Sequence, residues 1–273
     1  MSGAVTPERP PRRPVPDRDD HLATIALAAS LQRRAVRPPL DPASFWALVD
    51  AHGGRVAAAA TDAPDGDIRA LADRGALAAL HQTELEQQGL GLLTPFHEHY
   101  PASLLELGDA APPLLYVAGG VDRLVDPARS RIAILPAGGA DGTEAAVEAA
   151  VEAARAAAST AADAGWDVVS GATPGVEAQA LNAAVASGAF VVAVLTDGLR
   201  LALRSAARRR LVTSGRGVLL SATPPDVAAD AEGPAVVRAR AIAGALAHRV
   251  HLVGAGGEDD LVLPTVTPGS DRV

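Results

Sequence analysis

From about residue 114 onward, short apolar runs alternate with helix-periodic stretches in a regular way. Arg131-Ile-Ala-Ile-Leu135, Trp166-Asp-Val-Val-Ser170, Phe190-Val-Val-Ala-Val-Leu195, Gly217-Val-Leu-Leu-Ser221 and Arg249-Val-His-Leu-Val253 each read as a strand. Leu114-Leu-Tyr-Val117, after Pro112-Pro113, is a shorter one. Between them, residues 143–164, 176–186, 199–212 and 236–248 carry helical periodicity. Fully apolar strands separated by amphipathic helices predict a parallel sheet covered on both faces. The expected fold class is α/β: a doubly wound, mostly parallel sheet, of the kind that binds ligands at the carboxyl ends of its strands.

The pattern before residue 91 is different. Leu22-Ala-Thr-Ile-Ala-Leu-Ala-Ala29 supplies one helical stripe and Phe45-Trp-Ala-Leu-Val49 a second, which Pro42 and Ser44 start and Gly53-Gly54 end. Residues 67–80, interrupted at Gly75, form a third. The helix-spaced aromatics here are read as core. Residues 1–20 are rich in Pro and charge and have little to bury, which predicts a disordered tail. The expected plan is a tail over 1–20, a small helical domain over 21–90, the α/β domain over 91–256 and a flexible tail over 257–273.

Composition narrows the chemistry. Cysteine is absent, so a disulfide scaffold, a cysteine zinc site and a cysteine nucleophile are excluded. Lysine is absent too, and alanine makes up 61 of 273 residues, a usage that points to coding bias as much as to function. The net charge of −8 excludes a generally basic coat for nucleic acid. It is unevenly spread, however. Residues 200–249 hold nine Arg against three acids, a local +6 that leaves −14 for the rest of the chain. The N-terminus lacks the apolar core of a signal peptide, and the uncharged run 178–196 is broken by Ser187-Gly188, so a cytoplasmic protein with no membrane partner is expected.

Two loops at strand ends are the candidate ligand-binding elements. Pro136-Ala-Gly-Gly-Ala-Asp-Gly-Thr143 contains Gly138 and Gly139 and opens a helix, where free N–H groups attract an anion. Against that stand Glu144, Glu148 and Glu152 on one helix face, and Asp141 at capping-box spacing from Glu144. A glycine turn closed by its own acids and a true anion site are equally compatible with these residues. The second loop, Ser170-Gly-Ala-Thr-Pro-Gly175, offers Ser170, Gly171 and Gly175 at the same sheet edge, although an ordinary strand-to-helix turn uses the same residue types. Arg200, Arg204 and Arg208 fall at i, i+4, i+8, and Arg238 and Arg240 suit a helix start beside a cleft. The seven histidines show no metal-ligand spacing and no serine sits in a nucleophile elbow, so neither a cofactor nor catalysis is expected.

Taken in order, Gly91-Leu-Leu-Thr-Pro95, Tyr100-Pro-Ala-Ser-Leu104, Pro112-Pro-Leu-Leu-Tyr-Val-Ala-Gly119, Val168-Val-Ser-Gly171, Gly175-Val-Glu177, Gly217-Val-Leu-Leu-Ser221 and Arg238-Ala-Arg-Ala-Ile-Ala-Gly244 resemble the DNA-processing protein A (DprA, or Smf) family. The resemblance implies a Rossmann-like domain that binds single-stranded DNA across the strand-end pocket. It also implies loading of RecA recombinase, a role in natural transformation, and self-association as a homodimer. The chain departs from the family where Gly-Ser-Arg becomes Pro136-Ala137-Gly138, where the second loop carries Pro174 in place of Arg, where the Asp of Gly-Ile-Asp becomes Glu177, and where Ser-Glu becomes Ser221-Ala222. It therefore reads as a diverged member, with Arg238 and Arg240 retained. The glycine loop is also similar to that of the lysine-decarboxylase-like (LOG) nucleotide phosphoribohydrolases, which gives a nucleotide-binding enzyme as the second reading and a ligand-free scaffold as the third.

Overall fold

Asp17, itself extended, caps helix α1 (Arg18–Ala28) by accepting hydrogen bonds from the backbone N–H groups of Asp19 and Asp20. The computed structural model describes residues 12, 14–29, 41–58, 75–137, 143–229 and 233–254. Helix α2 (Pro42–Ala51) is capped by Asp41 and α3 (Gly75–Glu86) begins at the glycine expected to interrupt it; the part of that expected helix before residue 75 lies outside the described residues. Phe45 and Trp46 are fully buried, and the Trp46 indole donates to Ala111 O at 2.8 Å.

The expected tail over 1–20 does not hold for its later part. The Arg12 guanidinium lies 4.5 Å from the centre of the Trp46 ring and pairs with Asp50 and Asp109, while Asp17 N donates to Phe96 O. Composition marks this stretch as solvated, but the fold sets Arg12 on the Trp46 ring of α2 and buries Asp20 at the start of α1. The expected tail over 257–273 lies outside the described residues.

Seven strands form one sheet in the order β1-β2-β6-β5-β4-β3-β7: β1 (Gly91–Leu93), β2 (Leu115–Ala118), β3 (Arg131–Pro136), β4 (Asp167–Gly171), β5 (Val191–Leu195), β6 (Gly217–Ser221) and β7 (Arg249–Val253). Strands β6-β5-β4-β3-β7 are parallel, and β2 joins β6 antiparallel as β1 joins β2. The one-turn helix α4 (Asp122–Val125) leads into β3. Helices α5 (Glu144–Asp163) and α6 (Val176–Ala186) cover one face, and α9 (Pro234–Ala245) with the 3₁₀ segment Ala102–Ala110 covers the other. Alanine is put to structural use here. Ala150, Ala154, Ala157, Ala158 and Ala161 form the buried stripe of α5, which shares its apolar cluster with Ala180 and Ala184 of α6. Side chains this small let two helices lie close together over the sheet.

The helix expected over 199–212 is two helices, α7 (Leu199–Ala202) and α8 (Ala206–Thr213). The apolar spacing runs through the break, which is why periodicity hides it. Arg209 stabilises the break, its Nη1 donating to the freed carbonyls of Leu203 at 2.7 Å and Arg204 at 2.8 Å. No helix of the described residues is long and apolar enough to cross a membrane; the uncharged run 178–196 is α6 followed by β5.

Candidate nucleic-acid interface

Strands β3 and β7 are neighbours whose connections lie on opposite faces, so the sheet has its switch point between them, and the loops after β3 and β4 leave from the same carboxyl-end edge beside it, the candidate crevice. Gly138 and Gly139, with Asp141, lie outside the described residues. The helix after them is capped by Thr143, whose Oγ1 accepts from Ala146 N, and not by the Asp141 of the expected capping box.

The loop after β4 is ordered from within. Ser170 is fully buried and its hydroxyl donates to Ile134 O at 2.5 Å, so it ties β4 to β3 and does not face a ligand. Gly175 is exposed and adopts φ +95°, the left-handed region open to glycine, as it turns the chain into α6. In the first turn of α6 stands Glu177, only 1% exposed. Thr173 Oγ1 donates to its Oε2, and Arg240 Nε reaches over the sheet edge from α9 to donate to Oε1 at 2.9 Å. Gly171 makes room for this carboxylate, because a Cβ there would lie 2.5 Å from Oε1. The Arg240 side chain remains 40% exposed. Thr173 and the Glu177–Arg240 pair were not predicted as a unit. The one signal in the sequence was an acid in the first helical turn after a glycine loop.

The neighbouring ends of β5 and β6 are closed. Ser221 Oγ donates to Asp197 O at 2.9 Å, Thr223 Oγ1 to Thr196 O at 2.6 Å, and Gly198 N to Val227 O at 2.8 Å.

The arginines of the basic segment are spread over both sides of the sheet. Arg200 is engaged, with Nε on Gln88 at 2.7 Å and Nη1 on Asp226 at 2.5 Å. Arg204 sits in the break between α7 and α8, exposed and without a partner among the described residues, so the expected face of Arg200, Arg204 and Arg208 does not form. Arg208, Arg210 and Arg216 rim a cavity of about 510 Å³ between α6 and α8, floored by Leu181, Leu211 and Leu219. Arg238 and Arg240 lie inside α9 and not at its start as expected; Arg238 is exposed, has no side-chain partner among the described residues and points away from Arg240 two positions on. The structure thus brings together Gly171, Gly175, Glu177 and Arg240, and leaves Arg200 and Arg208 elsewhere. All seven aromatic side chains of the chain are buried, so none offers a ring face for a base.

Residues 91–259 match the family model described as DNA recombination-mediator protein A. Among solved structures, DNA processing protein A of Streptococcus pneumoniae superposes with a TM-score of 0.56 at 16% identity, over 86% of this chain and 77% of that one. The Helicobacter pylori DNA processing protein A, characterised for its binding of single-stranded DNA, matches at 21% identity with a TM-score of 0.42, over 59% of this chain and 67% of that one. No curated protein matches the chain.

Proposed function

The chain belongs to the DNA recombination-mediator protein A family, and from that premise we propose that it binds single-stranded DNA across the carboxyl ends of β3 and β4. The observation that carries this reading is the half-exposed Arg240 guanidinium, held at the crevice by Glu177. Phosphate contact is the only mode these residues supply, since every aromatic ring is buried. Binding is therefore weak, little dependent on sequence and steep in salt, at roughly 0.7 units of log–log slope per phosphate contact. Gly175, exposed and in the left-handed region, lets the strand approach the loop backbone closely. In an acidic protein α9 favours this place, since it carries Arg238 and Arg240 and no acid.

In the fuller form of this reading the protein does no chemistry. It holds the strand and passes it to RecA recombinase, acting in the cytoplasm and as a homodimer. Oligonucleotide anisotropy tests the binding step. A strand-exchange assay with RecA and a single-strand-binding competitor tests the hand-over, which predicts faster filament formation with the protein present. Release of free base from a nucleoside monophosphate would contradict the non-enzymatic part of the proposal and favour the phosphoribohydrolase reading.

A further inference from the structure

Resting on that reading of the crevice, we infer that Glu177 is a positioning residue: its buried carboxylate holds Arg240 by Nε so that both terminal nitrogens of the guanidinium face a phosphate. Burying a carboxylate is costly, and an ion pair of this kind adds little stability over a well-packed apolar pair. The chain nevertheless builds three separate supports for this one. Gly171 gives up its side chain to admit the carboxylate, Thr173 donates a hydroxyl to Oε2, and Arg240 donates Nε to Oε1 at 2.9 Å.

Which nitrogen is used is the decisive detail. A guanidinium presents five N–H donors, and only the Nε donor is spent on Glu177. Nη1 and Nη2 have no partner among the described residues and belong to a side chain that is 40% exposed, whereas Glu177 is 1% exposed. The outer fork of the guanidinium is thus left open, which is the end that matches two phosphate oxygens. Contrast Arg200, whose Nε and Nη1 are both taken. Glu177 is also a negative charge next to a polyanion site, so simple charge counting says that its removal strengthens binding. Positioning says the opposite.

The test compares wild type, Glu177→Ala, Glu177→Gln, Arg240→Ala and the Glu177→Ala/Arg240→Ala double variant, by anisotropy of a labelled oligothymidine over a salt series. Glu177→Ala is expected to bind several-fold more weakly at low salt. Its log–log slope should fall by about 0.7, as in Arg240→Ala, and the double variant should lose nothing more. Tighter binding or a steeper slope in Glu177→Ala overturns the inference and leaves the crevice reading intact. An Arg240→Ala slope equal to wild type overturns both. If Glu177→Ala does not melt cooperatively, Glu177→Gln decides: its amide oxygen still accepts from Nε, so the wild-type slope is retained, whereas a steeper slope marks the carboxylate as a mere counter-charge.

Discussion

The N-terminal helices and the crevice at β4 both bury polar groups, but the groups face opposite ways. In the helical region, Trp46 donates inward to Ala111 O, and His21 shares a 2.8 Å hydrogen bond with Thr94 in a buried site. At the crevice, Glu177 is buried while its partner Arg240 reaches out to solvent. The first arrangement fastens α1 and α2 to the segments that follow β1 and precede β2; the second points a charge outward. Substitutions in the two regions should therefore separate cleanly, one set changing stability and the other changing the salt dependence of binding.

The largest expected effect is in the helical region. Trp46→Ala removes a fully buried ring together with the indole donor and the surface on which Arg12 rests, and should cost about 3–5 kcal/mol in urea denaturation. The oligonucleotide slope of the protein that remains folded should not move. A changed slope would break the separation.

Acid provides the next contrast. Burial, with a smaller contribution from neighbouring His97, pushes the His21 imidazole down from 6.5 to about 4. A base whose folded pKa is depressed is held neutral, so its stabilisation is complete above pH 6.5, declines as the pH falls below that, and levels off near pH 4. The loss across that window should reach about 3 kcal/mol. Urea denaturation at pH 7.5 and 4.0 checks it, with His21→Gln expected to flatten the difference.

How much of this was legible follows from the range of each interaction. The strands β3 to β6 were legible because each is an apolar run covered on both faces, whereas β7, at the end of the strand order, is mostly exposed and departs from the expected cover. The break between α7 and α8 was not, because Leu199, Leu203 and Leu211 keep helical spacing across it. Ser170 looked like a ligand residue, yet its hydroxyl serves a carbonyl on β3, a choice set by strand pairing. The role of Glu177 depends on a partner 63 residues away, and no local pattern carries that. Arg12 was read as tail for the same reason: Trp46 is near it only in the fold.

Smaller effects sharpen the comparison within the basic segment. Gly171→Ala pushes a methyl against the Glu177 carboxylate and should weaken oligonucleotide binding about as much as Arg240→Ala does, with a drop in melting temperature of a few degrees. Arg208→Ala, at the rim of the cavity beyond α6, should change the low-salt affinity by less than about two-fold, since one outlying charge contributes only through long-range attraction.

The central claim is that a single strand lies on the crevice beside Arg240 and not on the arginines of α8. Its most direct test is the salt dependence of anisotropy for a labelled oligothymidine with wild type, Arg240→Ala and Arg208→Ala side by side. The account predicts binding at low salt, a slope reduced by about 0.7 in Arg240→Ala, and a wild-type slope in Arg208→Ala. No binding at low salt, or a slope lowered by Arg208→Ala and untouched by Arg240→Ala, would contradict it.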